Sequence, residues 1–207
     1  MAKFPEPPSV AELRKIGTTL TRLRAGHRLW RIYFAGGAHP TAWDEFRAFG
    51  PTDSRFDHHI PPPQVQGRKI LYCATLGPTC VAEVFQATRT IDRNVRAPWL
   101  VGFELQRDAS LLDLTGSWAT RAGASMAIHS GSRARARRWS AAIYSAYPAI
   151  DGIAYCSSMD ANRPSFAVYE RASSAMPKSP FFNRALADPA LTRIVNNAAK
   201  RFNFVVI

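Results

Sequence analysis

The sequence predicts an α+β fold in one domain, and three observations carry that expectation. Strand-like and helix-like runs are interleaved irregularly, without a repeat or a regular strand–helix–strand alternation, which disfavours a doubly wound parallel sheet. Two short strands flank a polar loop between Asp151 and Glu170. Gly152-Ile153-Ala154-Tyr155 leads out of a turn into Cys156-Ser157-Ser158, and Phe166-Ala167-Val168-Tyr169 returns before Glu170 and Arg171. Finally, 207 residues of which 46% are apolar and 20% charged suffice for one sizeable core.

Taken in order, residues 1–8 (MAKFPEPP) read as a flexible tail and residues 9–207 as the domain. Ser9 with Glu12 three residues on is the capping-box pattern, so a helix is expected from Ser9 to about Arg24, stopping at Gly26. Leu29 to Phe34 alternates as a strand and ends at Gly36-Gly37. Residues 35–67 read as a long irregular section, a kind usually functional or disordered in compact domains; Trp43, Phe46, Phe49 and Phe56 argue that this one packs on something. Lys69 to Ala74 is a strand. Gly77-Pro78 turns it into a helix from Thr79 to about Thr88, with Val81, Val84 and Phe85 on one face and Glu83 off that stripe. Trp99–Leu105 and Ser110–Leu114 are strands, and an arginine-bearing helix spans Ala134 to Ala146. After the hairpin come a loop at Met176–Pro180, a helix from about Asp188 to Lys200, and a last strand from Phe202 to Ile207.

The net charge of +12 suggests an anionic partner. Nucleic acid, an anionic small ligand and an acidic protein all satisfy it. Basic residues spread from Arg14 to Arg201, with one cluster at Arg133, Arg135, Arg137 and Arg138, and no zinc-finger spacing, RNP motif or clear helix-turn-helix accompanies them. Direct nucleic-acid binding is therefore not expected; an acidic protein partner is. Cys73, Cys80 and Cys156 fit reduced thiols, with no zinc or disulfide spacing. His58-His59 lacks a completing carboxylate pattern, so no metal is expected. No apolar run is long enough to span a membrane and no hydrophobic leader is present, which predicts a cytoplasmic protein.

Several local features, in order, resemble the RES domain, the toxin component of RES–Xre toxin–antitoxin pairs. They are Trp30-Arg31-Ile32-Tyr33, Ser54-Arg55-Phe56, Leu71-Tyr72-Cys73-Ala74, Ala82-Glu83, and Asp151 through Ser157, spread over residues 29–170. The resemblance implies an ADP-ribosyltransferase-like fold, with a mixed or antiparallel split sheet and peripheral helices. It also implies an enzyme that takes NAD as substrate, needs no further cofactor, and assembles with an Xre-type antitoxin. Family members split the nicotinamide–ribose bond and pass ADP-ribose to water, phosphate or a protein. Carried over by position, Glu83, Arg31 and Tyr72 are the catalytic set, and Arg31, Arg55, Tyr72 and Ser157 contact the substrate. The chain departs from the family pattern at Phe56-Asp57 and after Ser157, where it reads Ser-Met-Asp, so Ser157 and Ser158 both stay in play.

The residue types suit that chemistry. An N-glycosidic bond to a cationic leaving group breaks through an oxocarbenium-like state, which a carboxylate such as Glu83 stabilises. Arginines supply forked donors for a diphosphate. Without the resemblance the same residues read blandly: Arg31 and Arg55 as solvent-facing, Tyr72 as core, Glu83 as a solvated helix residue. Two other functions compete with an NAD glycohydrolase or phosphorylase. One is an ADP-ribosyltransferase acting on protein or nucleic acid, the other a non-catalytic binding module with a basic surface.

Overall fold

A computed structural model describes residues 4–160 and 162–207. In chain order the elements are α1 (Val10–Ile16), β1 (Leu20–Leu23), β2 (Arg28–Phe34), β3 (Arg47–Gly50), β4 (Gln64–Ala74), α2 (Gly77–Phe85), β5 (Thr90–Ile91), β6 (Pro98–Glu104), β7 (Ala109–Asp113), α3 (Trp118–Arg121), α4 (Ala127–Ser130), α5 (Arg133–Ala146), β8 (Gly152–Cys156), β9 (Pro164–Tyr169), β10 (Phe182–Ala185), α6 (Thr192–Phe202) and β11 (Val205–Val206). The expected α+β class is the observed one. One mixed sheet runs β1-β7-β8-β9-β4-β2-β6-β10 with β3 added beside β4, and β5 and β11 form a separate parallel pair. β7 and β8 run parallel, while β8–β9 and β9–β4 are antiparallel.

The sheet splits at β2 and β4, and the split makes the site. These strands share one register position, Trp30 opposite Ala74. Further along, β3 takes over that flank of β4, from Ile70 back to Gln64. Side chains from Arg31 to Phe34 on β2 and from Ile70 and Tyr72 on β4 thus line a gap that backbone pairing does not close.

Alternation places the cores. Ile70, Ile153, Tyr155, Ala167 and Tyr169 point to the side covered by Trp118, Trp139 and Ile143 of α3 and α5. Their neighbours Leu71, Cys73, Ala154, Phe166 and Val168 pack on the other face with Phe103 and Leu111. Cys80, Val81 and Phe85 of α2 pack against Leu100 and against Val195 and Ala198 of α6. Gly152 permits the close β8–β9 approach: a Cβ there would fall 2.4 Å from the Ala167 carbonyl oxygen and 2.9 Å from Val168 Cα.

Several expectations are corrected. The Ser9–Glu12 capping box forms, but the helix ends at Ile16. Gly17 (φ 72°) caps it, and the β-branched Thr18-Thr19 lead into β1, which pairs with β7. Of the expected tail, residues 1–3 lie outside the described residues. From Phe4 on it is anchored: Phe4 is buried, its ring centroid 6.4 Å from that of Trp139, whose indole N–H donates to Pro5 O at 2.8 Å. The irregular section contains β3 and the start of β4. Phe56 is fully buried, 4.6 Å from Tyr155 between centroids, whereas Phe49 is half exposed. On α2 the buried face is Cys80, Val81, Ala82 and Phe85, and Val84 is exposed. The last helix begins at Thr192, after an Asp188-capped turn, and runs to Phe202, so the final strand shrinks to Val205–Val206. His58 is buried between the rings of Tyr144 and Tyr169, at 4.4 and 4.5 Å; His59 Nδ1 lies 2.5 Å from Asp57. Among the described residues no helix is long and apolar enough to cross a membrane.

Candidate active site

The gap between β2 and β4 opens into a cleft of about 490 Å³. Its walls carry five arginines, Arg31, Arg47, Arg55, Arg96 and Arg133, against the two carboxylates of Asp53 and Glu83. Four of the five residues singled out in the sequence line it: Arg31 from β2, Arg55 from the 52–57 loop, Tyr72 from β4 and Glu83 from α2. The fifth, Ser157, is buried beneath Glu83, while its neighbour Ser158 reaches the cleft wall. The serine ambiguity thus resolves into two places.

Glu83 is held, not solvated. The Ser157 hydroxyl donates to Glu83 Oε1 and accepts from the backbone N–H groups of Met159 (3.1 Å) and Asp160 (3.0 Å). That loop is fastened in turn. Buried Asp160 accepts from the Thr79 hydroxyl of α2 at 2.6 Å and pairs with Arg201 of α6. One turn on from Glu83, the Gln86 amide donates to the Glu83 carbonyl at 2.6 Å and toward Oε2 at 3.4 Å. Its oxygen accepts from Arg133 Nη2 at 2.9 Å, and Arg133 also pairs with Asp53 at 3.2 Å. The carboxylate is therefore oriented from both oxygens by groups from β8's end and from its own helix.

Arg31 is only 8% exposed, which overturns the solvent-facing alternative. Its Nη1 donates to the carbonyls of Trp43 (2.8 Å) and Glu45 (3.0 Å), fixing the 41–46 loop on the strand. Burial pulls its pKa down to about 10, with nearby Cys73 and Glu45 acting the other way, so it stays a cation at neutral pH. Arg55 donates to Gly131 O at 2.6 Å. Its pKa is lowered, first by burial and then by the Arg133 charge, and Glu83 partly offsets this. The Tyr72 hydroxyl, beside Ser54, is buried without a hydrogen-bond partner among the described residues. Burial, then Asp57, raises its pKa well above the ordinary phenol range, so it can donate a hydrogen bond but not act as a base.

Other residues line the cleft that the sequence does not single out as site residues. Tyr155 packs on Phe56, and its phenol is pushed up by burial and by the Glu83 charge. His129 reaches the cleft from α4, yet Nε2–H donates to Leu114 O (3.0 Å) and Nδ1 accepts from Cys156 N–H (3.3 Å). With both nitrogens used by backbone and its pKa lowered by burial, it is a neutral brace between α4 and the sheet. Gln86 lies one turn beyond Glu83 and Arg133 belongs to the basic cluster of α5, and only the fold joins the two beside the carboxylate.

A split α+β sheet thus carries an arginine-lined cleft with a fixed carboxylate on its wall. The chain belongs to the RES domain family, whose model matches residues 28–189. A search of curated proteins found no match. Among solved structures, the chain is similar to one in the crystal structure of the M. tuberculosis MbcT–MbcA toxin–antitoxin complex. The two share 17% identity over 91% of this chain and 96% of the other, with a TM-score of 0.59. That likeness is one of fold.

Proposed function

We propose that this chain cleaves the nicotinamide–ribose bond of NAD and is the toxin of a toxin–antitoxin pair, restrained by an Xre-type protein. The observation that carries the reading is the Glu83 carboxylate, oriented by Ser157 and Gln86 on the wall of an arginine-rich cleft. Family membership, and the toxin–antitoxin complex to which the fold is similar, support the biological role.

The chemistry balances with few groups. The ribose C1′–N bond breaks, its electron pair leaves with nicotinamide, and the pyridinium nitrogen becomes neutral, so no proton need be delivered to it. Glu83 stabilises the oxocarbenium-like ribose. An oxygen of water or phosphate then bonds to C1′, and a hydroxylic acceptor gives up its proton to solvent or to Glu83. Arg55, with the Nε and Nη2 groups of Arg31 that the 41–46 loop leaves unused, offers donors to the diphosphate. Tyr72 offers a ring face and an uncommitted O–H.

Glu83→Gln tests the assignment. The amide keeps the shape and removes the charge, so the variant should melt as wild type, bind NAD nearly as well, and release nicotinamide about 10²-fold more slowly or worse. A wild-type rate in this variant would remove Glu83 and the mechanism with it.

A further inference from the structure

Four of the five cleft arginines are already engaged. Arg31 and Arg55 donate to carbonyls, Arg47 pairs with Asp57 at 2.9 Å, and Arg133 holds Gln86 and Asp53. Arg96 is different. Its side chain makes neither a hydrogen bond nor an ion pair with any described residue. Its guanidinium carbon instead lies 3.8 Å from the centroid of the Phe34 ring, at the wall of the cleft.

The backbone is distorted to put it there. Arg96 (φ 62°) and Ala97 (φ 46°) are consecutive non-glycine residues in the left-handed region, which side chains other than glycine's rarely adopt. The turn that carries them is closed by Ala97 N–H to Asn94 O (2.8 Å). Asp92 Oδ1 braces it by accepting from Asn94 and Val95 N–H at 2.9 and 2.8 Å. Gly36 and Ala35 N–H then donate to the carbonyls of Arg96 and Ala97, both at 3.0 Å, zipping the turn to the end of β2. Gly37 (φ 87°) leaves the room: a Cβ there would come within 3.0 Å of Arg96 Cγ. A strained turn, a brace and a gap thus converge on one exposed cation that no described residue neutralises.

We infer that Arg96 is a phosphate-binding residue at the lip of this cleft. It leaves or shares the Phe34 ring to make charge-assisted hydrogen bonds to a phosphate oxygen. Phe34 lies three residues along β2 from Arg31, about 10 Å at ordinary strand rise, so Arg96 would approach a diphosphate held by Arg31 and Arg55 from the far end of the strand. The inference rests on the NAD reading for the identity of that ligand. The phosphate belongs either to the dinucleotide itself or to an inorganic phosphate acceptor.

Two variants separate the possibilities. Arg96→Gln removes the charge, and Arg96→Met also removes it while retaining an unbranched chain to cover Phe34. Both should bind ADP about tenfold or more weakly by calorimetry, with adenosine affinity and melting unchanged. For NAD in phosphate-free buffer, both should raise KM and leave kcat near wild type. An unchanged KM with a raised half-saturating concentration of inorganic phosphate would place the group on the acceptor. If both variants bind ADP and phosphate as wild type does, Arg96 merely covers Phe34 and the inference fails. Should wild type bind ADP through Arg96 but leave NAD intact, the cleavage reading falls and this one stands. NAD cleavage with affinities indifferent to Arg96 is the reverse outcome.

Discussion

Arg31 and Arg55 on the cleft, and Arg135, Arg137 and Arg138 on α5, look alike in the sequence, yet the fold uses them in opposite ways. The cleft pair is satisfied by carbonyl oxygens, which accept hydrogen bonds without cancelling charge. The helix residues are satisfied by carboxylates: Arg135 and Arg138 by Glu6, Arg137 by Asp53. The first arrangement leaves a buried positive field aimed at whatever enters the cleft. In the second, Arg135 and Arg138 fasten the N-terminal segment, where Phe4 and Pro5 meet Trp139, and Arg137 holds Asp53 at the edge of the cleft. Arg133 belongs to both regions, since it sits on α5 and lines the cleft. A count of +12 therefore says little about where an anion binds, and an acidic partner using the α5 face would have to displace Glu6 or Asp53.

The contrast can be broken most severely at Arg31. Arg31→Lys keeps the charge but gives one ammonium where a planar fork now serves two carbonyls and leaves further donors over. NAD binding should weaken by about 2–3 kcal/mol, and urea stability should fall by roughly 1–2 kcal/mol as the 41–46 loop loosens. Titration and a urea melt on the same sample check both. Wild-type affinity would mean that Arg31 is only a loop anchor.

Ser157→Ala should act next most strongly, and on rate rather than affinity. It removes the donor to Glu83 and the acceptor for two backbone N–H groups. Nicotinamide release should slow about tenfold with KM little changed, and stability should drop by about 1 kcal/mol. Loss of stability with turnover intact would make the serine a loop fastener alone.

The smallest effect belongs to the helix face. The Arg138 hydrogen bond, with Arg135 and their charges, holds the Glu6 carboxyl down to about 2 despite slight desolvation. Because the folded pKa lies below the unfolded one, its contribution is full above about pH 4.5 and is lost as pH falls toward 2. Glu6 is more than half exposed, so solvent screening keeps that contribution under about 1 kcal/mol. Glu6→Gln should cost that much at pH 7 and low salt, less at high salt, and nothing against wild type near pH 2. A salt-independent loss of several kcal/mol would show that the clasp matters more than an exposed pair can.

What the sequence made legible was whatever local pattern determines. The Ser9–Glu12 box, the alternation of Leu29 to Phe34 and the Asp151–Glu170 hairpin all formed. The helix expected to reach Arg24 failed because pairing of Leu20–Leu23 with Leu112–Ala109 outweighs a helical pattern that Gly17 already interrupts. β3 escaped notice because a four-residue strand bearing Arg47 and Gly50 has no apolar alternation to show. Within the site, Arg31, Arg55, Tyr72 and Glu83 are legible only through the resemblance to the RES family, and the fold brings them to one cleft. Gln86, Arg133 and Arg96 could not be read, since a helical turn, a distant helix and a left-handed backbone place them. Val84 was assigned to the apolar face by periodicity, but α2 offers that edge to the cleft instead.

One incubation decides whether this cleft opens NAD at the glycosidic bond. Purified protein is mixed with NAD, with and without inorganic phosphate, and the products are identified by mass. NAD should disappear and free nicotinamide appear, with ADP-ribose or its phosphate adduct as the second product. Nicotinamide with ADP-ribose attached to the protein or to added nucleic acid would shift the acceptor while keeping the bond broken. Intact NAD in both buffers, from a sample that melts cooperatively, would contradict the claim and leave a binding module with an arginine-lined cleft.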